Sequence, residues 1–79
     1  MPRDVRGRVA WMTEYVRTAN SQGTLSRTEL SKANRELKSI SAREKSMYHD
    51  KDGGLSIRNE VGLQVRLDRL SDRLRITRQ

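Results

Sequence analysis

Two stretches of the chain have the frame of a twelve-residue calcium loop. The first runs Thr18-x-Asn20-x-Gln22-Gly23-Thr24-Leu25-Ser26-x-x-Glu29. Glycine stands at its sixth position, where such a loop turns sharply, and glutamate at its twelfth, where a bidentate carboxylate closes the coordination shell. Positions one, three and five are neutral, so an ion there would meet a single carboxylate. The second stretch, Tyr48-x-Asp50-x-Asp52-Gly53-Gly54-Leu55-Ser56-x-x-Asn59, has acids at the third and fifth positions, with tyrosine at the first and asparagine at the twelfth. Together they nominate Asn20, Gln22, Glu29, Asp50 and Asp52 as oxygen donors, with calcium as the one candidate ion and no other cofactor expected. The same residues also read as a helix-stopping glycine followed by a capping serine.

A second chemistry is electrostatic. The formal net charge is +7, from 17 basic and 10 acidic residues, a balance that favours an anionic partner. Arg27, Lys32, Arg35 and Lys38 ride on the helix that Ser26 would start, and Trp11 to Lys38 can be drawn as a helix-turn-helix with that helix in a major groove. The turn is longer than the usual three or four residues, Glu29 and Glu36 interrupt the basic row, and aromatic residues are too few for a stacking platform. Nucleic acid therefore stands as an alternative partner. Catalysis has little to stand on: His49 is the only histidine, cysteine is absent, and no glycine-rich phosphate loop occurs. The expectation is a non-enzymatic binding or assembly module that acts through its helix faces.

The elements that carry these residues follow from periodicity. Val5, Val9, Met12, Val16 and Ala19 step by four and three, which lines one face of a helix over about 4–20. Trp11 and Tyr15 lie one turn apart beside that stripe, where they can cover the edge of a core. Leu25-Ser26-x-x-Glu29-Leu30 combines a capping box with a hydrophobic staple and starts a second helix over about 26–48. Leu30, Ala33, Leu37, Ile40 and Met47 hold its heptad positions, with Glu44 where an apolar residue is expected. Leu55-Ser56 repeats the start with a weaker box, and Leu63, Leu67, Leu70 and Leu74 give a clean stripe for a third helix over about 56–76. The alternation of Val61, Leu63, Val65 and Leu67 would also suit a strand, but Leu70 and Leu74 continue the helical period. Opposite the leucines, Val61, Val65 and Ile76 form a second apolar face. With Trp11 and Tyr15 they nominate an interface to another protein or to a second copy, and a homo-oligomer is expected.

The fold class is therefore all-α: three helices in an antiparallel bundle, or a helical hairpin with a docked first helix, within one domain spanning 1–79. A chain of this length buries only about 60% of its unfolded surface, and without cysteine no disulfide adds to that core. A shift of thirty residues aligns Gly23 with Gly53, Leu25-Ser26 with Leu55-Ser56, Leu37 with Leu67 and Ile40 with Leu70, which suggests a duplicated turn-helix unit over 23–49 and 53–79. No apolar run approaches the roughly 18 residues of a membrane span. The basic N-terminus lacks the apolar stretch of a signal peptide, so the expected compartment is the cytoplasm, or the periplasm if a leader has been removed.

The run Gly23-x-Leu25-Ser26-x-x-Glu29, then Arg35-Glu36-Leu37-x-x-Ile40, Asp52-Gly53-x-Leu55-Ser56 and Arg66-Leu67-Asp68-x-Leu70-Ser71-x-Arg73-Leu74-Arg75, resembles a group of small uncharacterised alphaproteobacterial proteins. The resemblance covers residues 23–76. It implies a helical, often exported protein with degenerate EF-hand-like turns, and no activity comes with it.

Overall fold

The computed structural model describes the backbone of residues 1–50 and 56–76, and the side chains of 1–47 and 56–76. Three helices follow in order: α1 (Val5–Ser21), α2 (Arg27–Asp50) and α3 (Ile57–Arg73). No strand occurs among the described residues, so the alternation at 61–67 resolves as helix. Each helix packs on the other two, which makes the arrangement a bundle. The start of α1 meets the end of α2 through Arg6 and Glu44, while the start of α2 meets the end of α3 around Lys32 and Arg73. Both neighbouring pairs are therefore antiparallel. Helices α1 and α3 run parallel, with Arg8 against Asp68 and Met12 against Ser71.

Local chemistry sets the helix ends. Asp4 accepts the Gly7 N–H at 2.9 Å and caps α1. That helix ends in a Schellman turn: Gly23, at φ +81°, donates to the Asn20 carbonyl, and Thr24 donates to the Ala19 carbonyl. Glycine is required there because the left-handed region costs other residues roughly 1–2 kcal/mol. The capping box at the start of α2 closes in both directions, Glu29 N–H to Ser26 Oγ at 3.1 Å and Ser26 N–H to Glu29 Oε1 at 3.0 Å. At α3 the cap is half as complete, with the Asn59 N–H donating to Ser56 Oγ at 3.2 Å. Both serines of the thirty-residue alignment therefore cap a helix, while Gly53 lies outside the described residues.

The third helix stops at Arg73, three residues short of the expected end. Arg75 adopts φ +60°, its N–H bonds the Asp72 carbonyl, and the Ile76 N–H bonds the Ser71 carbonyl. This is the same Schellman turn built without glycine. It folds Ile76 back into the core, where it is buried. The placement of Ile76 on an outward apolar face is therefore corrected: the chain has left the helix before it reaches that residue.

One cluster holds the buried apolar residues, with Met12 and Val16 of α1, Leu37 and Ile40 of α2, and Leu67 and Leu70 of α3 at its centre. Polar groups enter this cluster in pairs. Arg8, buried on α1, donates to Gln64 Oε1 at 2.6 Å and pairs with Asp68 at 3.0 Å. Glu44 occupies its heptad position at 3% exposure and meets Arg6 at 3.3 Å. Arg66 joins Glu36 and Ser39. Among the described residues, an ion pair thus spans each pair of helices.

Two outcomes follow. Replacing Glu44 with leucine removes a desolvated carboxylate and leaves Arg6, 69% exposed, free to rehydrate, so chemical unfolding should show a gain of about 1–2 kcal/mol; a loss would mean that the buried charge holds the seam together. The Glu29 carboxyl is held below its ordinary range by the Ser26 backbone N–H first and the Ser26 hydroxyl second. Its contribution is present above the ordinary carboxylate range and fades as pH falls through the lowered value. Urea midpoints of Glu29→Gln should therefore fall less steeply on acidification than those of the parent chain.

Candidate interaction surface

The phase of α3 is fixed by Leu63, Leu67 and Leu70, which face inward and are buried. At about 100° per residue, the opposite face carries Ile57, Val61 and Val65, spaced by four, with exposures of 85%, 56% and 39%. The row covers about 12 Å of helix. All three residues are β-branched, which lowers helix propensity relative to alanine, and at these exposures they add little to the core.

Gly62 stands beside this row. Each of the other two described glycines has an internal cause: Gly23 has a left-handed backbone, and a Cβ on Gly7 would lie 2.6 Å from Asp4 Oδ1. A Cβ on Gly62 would meet nothing within 4 Å. Glycine inside a helix costs about 1 kcal/mol against alanine, and nothing within the described fold requires it here.

Next to Gly62 an open groove runs between α2 and α3. Its middle, about 730 Å³, is lined by Glu36, Arg66, Arg69, Asp72 and Arg73. Arg66 continues it into a section of about 550 Å³ beside Arg43, Met47, Arg58 and Gly62. Arg73 continues it the other way, beside Lys32, Glu29 and Leu74. Six basic and three acidic side chains line the whole length.

Of the expected basic row on α2, Arg27, Lys38 and Arg35 fall within about 80° of one another around the helix, while Lys32 lies apart from them. Arg27, Lys32, Arg35 and Lys38 are all exposed, but Lys32 faces α3 whereas Lys38 lines a separate cleft against α1 with Val9 and Thr13. Six residues turn a helix by about 600°, which leaves these two about 120° apart. A second aligned set, Arg58, Arg66, Arg69 and Arg73, comes from α3 and lines the groove. Their signal in the sequence was a common phase relative to the leucine stripe, hidden among alternating charges.

Trp11 and Tyr15 stack with centroids 5.5 Å apart and planes at 19°, half buried against the core. They cover an edge of the bundle, while Val61 and Val65 stand clear of it. The residues of the first loop are engaged locally: Asn20 Nδ2 donates to the Leu25 carbonyl at 3.0 Å, Gln22 forms the C-cap of α1, and Glu29 closes the capping box. The side chains of Asp50 and Asp52 lie outside the described residues. Among the described residues, no three histidine, cysteine, aspartate or glutamate side chains converge, and no helix is long and apolar enough to cross a membrane.

The chain matches no protein-family model, no curated protein and no solved structure.

Gly62→Ala should raise stability by about 1 kcal/mol, or about 4–8 °C in Tm for a domain of this size. Calorimetry reads this directly, and a lower Tm would reveal an internal need for the glycine.

Proposed function

We propose that this chain is a non-enzymatic docking module that seats a partner protein on the outer face of α3. The observation that carries this reading is the pairing of an exposed β-branched row with a mid-helix glycine that has no internal cause. Each feature disfavours the isolated helix, and both suit a second helix lying across it. Valine and isoleucine offer apolar area for burial, and glycine lets another backbone approach closely. The described carboxylates nearest the core are already engaged, Glu44 with Arg6 and Glu36 with Arg66, which fits a surface that binds better than a site that reacts.

A photoreactive benzoylphenylalanine at Val61, with a control at Thr13 on α1, tests this in cells of the native host. Val61 should yield an adduct of discrete mass that disappears when Gly62→Leu is added, and Thr13 should yield none. Equal labelling from the two positions, or no adduct from Val61, would sink the docking reading.

A further inference from the structure

We infer that the occupant of this surface is an acidic amphipathic helix of another protein, lying over Gly62 with its carboxylates along the α2–α3 groove. The inference rests on the docking reading and adds the chemistry of the partner.

The apolar row and the basic groove adjoin. On α3, Gly62 and the groove arginines lie to one side of Val61 and Val65, so one ligand helix can cover both. The four ion pairs among the described residues engage Arg66 within the groove but not Arg58, Arg69 or Arg73. Every basic residue of α3 is arginine, whose planar fork accepts carboxylates in paired hydrogen bonds. From Arg58 to Arg73 is about 22 Å of helix, matching a ligand of roughly 15 residues, or four turns.

Two other occupants fit less well. A nucleic-acid duplex would use the arginines, but it has no counterpart for the aliphatic row of Ile57, Val61 and Val65. A second copy has the apolar row but the wrong charge, because each chain carries +7, and a two-fold contact through α3 would set one basic flank against another.

The test uses the full chain and a fluorescein-labelled peptide of about 16 residues, with leucines on one helical face and glutamates beside them. A second peptide has lysine in place of every glutamate. Anisotropy titrations at about 50 mM and about 300 mM NaCl should show the glutamate peptide binding at least about tenfold more tightly than the lysine peptide, with the gap narrowing in high salt. Arg69→Glu combined with Arg73→Glu should weaken the glutamate peptide by at least about tenfold. Val61→Ser should weaken it too, and Arg17→Glu on α1 should not. All these sites are exposed, and circular dichroism checks that each variant keeps its helices.

If both peptides bind equally and both are lost on Gly62→Leu, the docking reading stands and the acidic class falls. If neither binds and Val61 yields no adduct, both fall. Tighter binding of a DNA duplex that ignores Val61→Ser, or a dimer in sedimentation that Val61→Ser dissociates, would overturn the inference in favour of nucleic acid or a second copy.

Discussion

Ala33, Leu37 and Ile40 form the seam on α2 against which both other helices are set. A domain this short has room for one layer of buried side chains, so α1 and α3 must each turn their apolar stripe to that seam and to each other. Of the three inter-helix ion pairs among the described residues, two set a buried member, Glu44 or Arg8, against a more exposed one. Desolvating the buried member offsets much of the attraction, so these pairs do more to fix which residues face each other than to hold the bundle together. Arg8 is the pair member with most at stake, because its guanidinium is buried and two acceptors on α3, Gln64 and Asp68, satisfy it.

Once the leucines of α3 face inward, the rest of its surface has no freedom. The same rotation that buries Leu63 and Leu67 turns Val61 and Val65 outward and swings Arg66, Arg69 and Arg73 toward α2. The apolar row and the basic groove are therefore two consequences of one packing decision. Gly62 lies between them, on a helix whose serine cap is closed from one side only.

The helices were legible because their signals are local. The Ser26–Glu29 box and the heptads of α2 and α3 act within one or two turns, and the structure reproduces them. The misread positions depend on what a stretch meets after folding. Ile76 was placed on a helix face because the Schellman turn that removes it uses arginine, at φ +60°, where glycine would have announced the stop. Lys32 was grouped with Lys38 without knowing that α1 and α3 flank α2 on different sides, which separates these two residues. The strand-like alternation around Val65 has the same origin: one face of that helix meets the core and the other meets solvent. Gly62 gave little notice, since a glycine inside a periodic run is simply a weak helix residue until the space around its missing Cβ is known.

A thin core also couples docking to folding. Only the folded bundle aligns Ile57, Val61 and Val65 with the arginine groove, so a partner that binds this surface stabilises the fold by linkage. At a hundred times its Kd the gain is about 2.7 kcal/mol, a large fraction of what a single small core supplies. The gain falls first on α3, whose opening turn carries the most exposed of the three residues, Ile57, and the weaker cap. On the docking reading, the features of α3 that serve nothing inside the bundle are the ones a partner completes. The apolar row acquires a cover, and the glycine becomes the point of closest approach.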